Sequence, residues 1–132
     1  MNNVILVVDD SSTVRKFVSL SLSMQGFKVV CASDGMEALE RLPTEKVDLV
    51  ITDLNMPNMD GYEFIRTLRE SDLYKDLPVI ILSSLSDQTS RDLGFQAGAH
   101  SYLVKPFSIE KVQYEVSKYL SWVDQERERN QG

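Results

Sequence analysis

The chain contains a single cysteine, Cys31, among its 132 residues. One thiol excludes an internal disulfide and any metal site built on several thiolates. It lies in the apolar run Val29-Val30-Cys31-Ala32, where a buried structural thiol is expected. No apolar stretch approaches the roughly 18 residues that a bilayer span requires, so membrane insertion is not expected. Met1-Asn2-Asn3 offers no basic n-region of a secretory leader, and the cytoplasm is the expected compartment. Basic residues are in deficit, with 14 Lys and Arg against 20 Asp and Glu and a net charge of −6. Phosphate contacts need clustered Lys and Arg, so direct nucleic-acid binding is not expected. Internal repeats and low-complexity segments are missing too. The one histidine, His100, follows Gly98-Ala99 in a tight connection and reads as a turn residue rather than a phosphate carrier.

What the chain does have is a set of short apolar runs, each ending on a reactive group. Val4-Ile5-Leu6-Val7-Val8 runs into Asp9-Asp10, Leu49-Val50-Ile51-Thr52 into Asp53, Val79-Ile80-Ile81-Leu82 into Ser83-Ser84, and Tyr102-Leu103-Val104 into Lys105-Pro106. Runs of Val, Ile and Leu without alternation read as strands buried on both faces, the signature of a parallel sheet. Phe27-Lys28-Val29-Val30-Cys31 is a further strand candidate.

Helical stripes lie between the runs. Val14, Phe17, Val18, Ser21 and Leu22 form the first, with Gly26 at its C-terminal end. Asp34 and Glu37 have capping-box spacing ahead of Ala38, Leu39 and Leu42, a stripe expected to stop before Pro43. Asp60 and Glu63 repeat the device before Phe64, Ile65 and Leu68. Ser86 is the expected cap of a weaker helix carrying Leu93 and Ala97, with Gly98 near its end. Ser108 is the expected cap of a last helix whose stripe is Ile109, Val112, Val116, Tyr119, Leu120 and Val123. The alternation predicts an α/β fold of five βα units, doubly wound, with helices on both faces. One domain over residues 1–124 is expected. Residues 125–132 form a charged tail, read either as a frayed helix end or as the start of a linker.

Ligands of an open parallel sheet bind beyond the carboxyl ends of its strands, so the terminating groups should meet at one edge. Asp9, Asp10 and Asp53 crowded together would repel, and at least one pKa should rise unless a cation intervenes. Carboxylates, a backbone carbonyl and water suit Mg²⁺. Asp53 is the candidate nucleophile, because a carboxylate can form an acyl phosphate. Lys105 would supply an ammonium and Ser83 a hydroxyl donor to the transferring group.

Val7-Val8-Asp9-Asp10-Ser11-Ser12, Asp53-Leu54-Asn55-Met56-Pro57-Asn58-Met59-Asp60-Gly61 and Lys105-Pro106-Phe107 together resemble the receiver domain of bacterial two-component response regulators. The likeness runs from about Val4 to Val123 and is greatest to CheY-like, stand-alone chemotaxis receivers. It implies a sheet of order 2-1-3-4-5 in the flavodoxin/CheY-like manner. It implies Asp53 as phospho-acceptor, supplied by a sensor histidine kinase or a histidine phosphotransfer protein. It implies Mg²⁺ held by Asp10 directly, Asp9 through water, Asp53 and the Asn55 carbonyl. Lys105 would contact the phosphoryl oxygens, across a cis peptide to the structural Pro106. Ser83 would hydrogen-bond the phosphoryl group and, with Tyr102, form a switch that alters a protein-binding face on the fourth helix, fifth strand and fifth helix. The alternative for Tyr102 is a partly buried strand aromatic with its hydroxyl in water. Leu85 and Asn55 occupy positions where receivers tune acyl-phosphate lifetime.

The resemblance implies a switch that catalyses its own phosphorylation and dephosphorylation, not an enzyme for an external substrate. A haloacid-dehalogenase-type hydrolase would carry a second Asp where Asn55 stands. A pseudo-receiver would lack one of the acids or the lysine. Stand-alone action is expected, the alternative being a receiver cut from a longer regulator. Trp122 and Tyr119 either anchor a partner or pack the helix end.

Overall fold

A computed structural model describes residues 3–131. Five strands, β1 (Val4–Val8), β2 (Lys28–Ala32), β3 (Leu49–Thr52), β4 (Val79–Ser83) and β5 (Ser101–Val104), alternate with α1 (Ser12–Ser23), α2 (Gly35–Glu45), α3 (Gly61–Glu70), α4 (Gln88–Ala97) and α5 (Ile109–Gln131). All four strand pairings are parallel, in the order β2-β1-β3-β4-β5. This is the flavodoxin/CheY-like doubly wound architecture.

Side-chain alternation along each strand divides the core in two. Ile5, Val7, Leu49, Ile51, Ile80, Leu82 and Leu103 face α1 and α5, against Val18, Leu22, Val112, Val116 and Leu120. Leu6, Val8, Val50, Val79 and Ile81 face the other way, against Ala38, Leu42, Phe64, Ile65, Leu68 and Ala97 of α2 to α4. Both faces need apolar residues, so the strands show no polar alternation.

The caps explain where the helices begin. Oδ1 of Asp34 accepts from the Glu37 N–H at 2.9 Å, and Oδ1 of Asp60 from the Glu63 N–H at 2.9 Å. Oγ of Ser108 accepts from the Lys111 N–H at 3.1 Å. The Glu37 carboxylate bonds the Ser33 N–H and hydroxyl rather than the N–H of its own cap residue.

Several local expectations are corrected. Asp87, not Ser86, caps α4; its charged carboxylate accepts from both the N–H and the hydroxyl of Ser90, stronger bonds than a neutral serine hydroxyl would accept. Leu93 is exposed, and Gly94 and Ala97 make the buried stripe, because α4 lies too close to Ile81 and Tyr102 for a larger residue at 94. Pro43 lies inside the last turn of α2, so the helix runs past the expected stop, and Lys46 ends it in the left-handed region at φ 49°. β2 begins and ends one residue later than expected. Cys31 is half-buried, since β2 is an edge strand, and its Sγ lies 3.2 Å from Ser19 Oγ. The polar stretch after Asp124 continues α5 as far as Gln131. The side chain of Val123 lies outside the described residues.

Candidate functional site

Three groups reach the carboxyl edge by the same device. Asp9, Asp53 and Lys105 each sit one residue beyond a strand, and each backbone N–H still bonds the last carbonyl of the neighbouring strand. Asp9 donates to Ala32 O at 3.1 Å, Asp53 to Val8 O at 2.9 Å, and Lys105 to Ser83 O at 2.8 Å. The ladder thus holds the backbone rigidly while the chain turns away and frees the side chain at the rim.

The side chains converge. Nζ of Lys105 donates to Asp9 Oδ2 at 3.0 Å and to Asp53 Oδ2 at 3.3 Å. Carboxylate oxygens of Asp9, Asp10 and Asp53 lie within 4.8 Å of one another. Asp9 is 2% and Asp53 8% exposed, whereas Asp10 stands in solvent at the mouth. Asp9 Oδ1 accepts from the Ser11 N–H at 2.9 Å, and its carbonyl from Arg15 Nη1 at 2.6 Å. Asp53 Oδ1 accepts from the Leu54 N–H at 2.7 Å.

Burial pushes the Asp53 carboxyl above the ordinary carboxylate range; the Leu54 N–H and the Lys105 charge oppose the shift, and Asp9 adds to it. Desolvation, rather than repulsion alone, is therefore the main source of the expected rise. For Lys105, burial favours the neutral amine, but the bonds and charges of Asp9 and Asp53 outweigh it and raise the pKa, so the ammonium persists.

Ser83 and Tyr102 form an adjoining group. Ser83 is fully buried at the end of β4, and its Oγ accepts from the Leu85 N–H at 3.1 Å. The Tyr102 hydroxyl donates to Leu85 O at 2.6 Å, and the Arg91 guanidinium lies 5.1 Å over its ring. The reading of Tyr102 as a strand aromatic with its hydroxyl in water is corrected: the ring is turned inward against α4, with its hydroxyl bonded. The Lys105-Pro106 peptide is cis. Asn55 lies exposed two residues beyond Asp53, at the start of a loop closed by the Gly61 N–H on Leu54 O at 2.8 Å. A Cβ on Gly61 would collide with the Asp53 carbonyl, so the β3–α3 turn requires glycine there.

His100 and Trp122 lie elsewhere. His100 leads into β5, at the opposite end of that strand from Lys105, where its Nδ1 accepts from the Val79 N–H at 3.2 Å. Its ring meets Tyr119 edge-on and Trp122 at a tilt, at 5.7 and 5.9 Å between centroids. Neither Arg15 at the Asp9 carbonyl nor the bond from Asn58 to Asp34 was foreseen from the sequence, where Asn58 stood only within the motif after Asp53.

Three carboxylate oxygens facing one another, with neither thiolate nor imidazole among them, suit a small hard cation. The family model of the response regulator receiver domain matches residues 5–117. The probable transcriptional regulator ycf27 of Porphyridium aerugineum is 39% identical over 96% of this chain and 51% of its own length. The alkaline phosphatase synthesis transcriptional regulatory protein PhoP of Bacillus subtilis is 38% identical over 91% of this chain and 49% of its own. The chain thus spans about half the length of the curated relatives it matches. Because those relatives are transcriptional regulators, the expectation of no nucleic-acid partner rests on charge alone. Among solved structures, the chemotaxis protein CheY4 of Vibrio cholerae aligns with TM-score 0.85 and 35% identity over 89% of this chain and 98% of that one. The receiver domain of sensor histidine kinase PA1611 from Pseudomonas aeruginosa, solved with magnesium coordinated in its active-site cleft, aligns with TM-score 0.84 and 26% identity over 92% and 99%. The strand order, the acid-and-lysine rim and the matched model agree: this chain belongs to the response regulator receiver domain family.

Proposed function

We propose that this receiver accepts a phosphoryl group on Asp53 from a phosphohistidine of a sensor histidine kinase or histidine phosphotransfer protein in the cytoplasm. A carboxylate oxygen of Asp53 attacks phosphorus. The P–N bond breaks, and the imidazole nitrogen leaves with the electron pair and takes up a proton. Lys105 trades its bond to Asp53 for one to a phosphoryl oxygen, keeping the ammonium beside the developing charge. Asp9, Asp10, Asp53 and the Asn55 carbonyl would hold Mg²⁺, which would supply positive charge against the phosphoryl oxygens. Ser83 swings its hydroxyl to donate to a phosphoryl oxygen and moves away from the Leu85 N–H it accepts from, which frees the Leu85 segment and the Tyr102 hydroxyl bound to it. That change is read by a protein partner on α4, β5 and α5. Attack of water on phosphorus later restores the carboxylate, so the protein is its own phosphatase.

The observation that carries the reading is the Lys105 ammonium shared between Asp9 and Asp53 beside the exposed Asp10. Incubation with Mg²⁺ and acetyl phosphate, followed by intact mass spectrometry, tests it. The protein should gain one phosphoryl group, and Asp53→Ala should not. Steady turnover of phosphomonoesters would instead indicate a hydrolase, and no adduct a pseudo-receiver.

Stand-alone action of the chemotaxis type is supported by the likeness to the Vibrio protein. The length of the curated relatives favours a second reading, a receiver within a longer transcriptional regulator. The mass of the native protein on an immunoblot separates the two.

A further inference from the structure

Asp34 accepts two hydrogen bonds in different directions. Oδ1 takes the Glu37 N–H at the start of α2, and Oδ2 takes the side-chain amide of Asn58, 24 residues away, at 2.7 Å. Asn58 sits at the exposed tip of the loop from Leu54 to Gly61 and has a left-handed backbone at φ 67°, a conformation asparagine tolerates better than most residues. The next residue reinforces the contact. The Gly35 N–H donates to Met59 O at 3.4 Å, and a Cβ on Gly35 would press to 2.9 Å on the Met59 side chain. Among the described residues, Asp34 and Gly35 provide the hydrogen bonds that tie positions 55–59 to the rest of the chain. The loop's own closure fixes only its base. The tether also has a charged acceptor: the Glu37 N–H foremost, then the Asn58 amide, hold the Asp34 carboxyl below the usual carboxylate range.

We infer that Asp34 and Asn58 are positioning residues of the acid pocket, a clamp from the start of α2 that holds the loop carrying Asn55 in place for Mg²⁺. The inference rests on the reading of Asn55 as a Mg²⁺ ligand. Neither clamp residue touches the pocket, and Asp34 belongs to another strand–helix connection, so its effect on the cation passes wholly through the loop. Without the clamp the loop would have to be ordered at the moment of binding, which weakens affinity.

The test is Mg²⁺ titration of the whole chain by calorimetry, with amide hydrogen exchange over positions 55–59 alongside. Asn58→Gly keeps the left-handed backbone but removes the amide. It should bind Mg²⁺ about tenfold more weakly, the low end for loss of an outer-shell partner, and exchange faster at 55–59. The charge-neutral swap Asp34→Asn with Asn58→Asp reverses the polarity of the bond and leaves an amide oxygen to cap α2. It should recover most of the lost affinity and protection. Wild-type affinity in Asn58→Gly, or a swap as weak as Asn58→Gly, overturns the inference while the pocket stands. Wild-type protein that binds no Mg²⁺ removes the pocket reading and the clamp with it.

Discussion

Replacing Lys105 by methionine probes the pocket's electrostatics most sharply. The ammonium is 3.0 Å from the Asp9 carboxylate, whose side chain is only 2% exposed, and 3.3 Å from that of Asp53, whose side chain is 11% exposed. Methionine keeps much of the stem's apolar packing and removes the charge, so two acids remain buried without a cation. Breaking such a buried arrangement costs about 3–5 kcal/mol. A fifth of the Lys105 side chain remains in water, so solvent screening puts the expected loss at the lower end, about 3 kcal/mol. Unfolding entropy for a chain of this size is about 0.3 kcal/mol/K, which makes the fall in Tm roughly 10 °C. The pH dependence has a definite sign. The Asp53 pKa is already raised in the fold, and loss of Lys105 raises it further. The penalty is absent below the unfolded pKa and develops as pH rises through the folded one. Scanning calorimetry of the metal-free proteins should therefore show a large Tm deficit at pH 7 that shrinks on acidification toward pH 4–5. Saturating Mg²⁺ should raise Tm more in the variant than in the wild type. Equal Tm values at pH 7 without metal would refute the claim that this lysine neutralises buried acids.

Three further outcomes follow from the structure. Gly61→Ala should lose about 2 kcal/mol by chemical denaturation, since the new methyl drives the Asp53 carbonyl out of place. Tyr102→Phe should lose about 1 kcal/mol, because the Leu85 carbonyl gives up its hydroxyl partner; amide exchange should quicken at Leu85. His100 is held below its ordinary pKa by burial first and the Arg69 charge second, with Asp76 opposing. Its contribution to stability is complete above the unfolded pKa near 6.5 and is lost as pH falls through the folded value. Melting curves across that window should show an acid limb that His100→Asn flattens.

The sheet was legible because the apolar runs are buried on both faces and broken by acids and lysine, and those same interruptions became the rim. Asp9, Asp53 and Lys105 could be read from sequence since each immediately ends a strand, and chain direction then brings them to one edge. Their rank by depth was not legible: Asp10 next to Asp9 is exposed because the chain turns into α1 between them. Tertiary crowding also lay beyond reach. Nothing local shows that Gly94 must be small, or that Leu93 would consequently face solvent. Pro43 marked the end of α2 only to within one turn, since the helix continues to Glu45. Asn58 appeared only as one residue of the motif that follows Asp53, and its tie to Asp34 spans a separation that no periodicity encodes.

Reduction of the acyl phosphate tests at single-residue level whether Asp53 is the residue that carries phosphorus. Borohydride converts an aspartyl phosphate to homoserine, leaving a permanent mark that peptide sequencing by mass spectrometry can place. After treatment with acetyl phosphate and Mg²⁺, homoserine should occur at position 53 and nowhere else, and omission of Mg²⁺ should abolish it. Homoserine at position 9 or 10, or a phosphorylated chain with no homoserine at 53, would contradict the account.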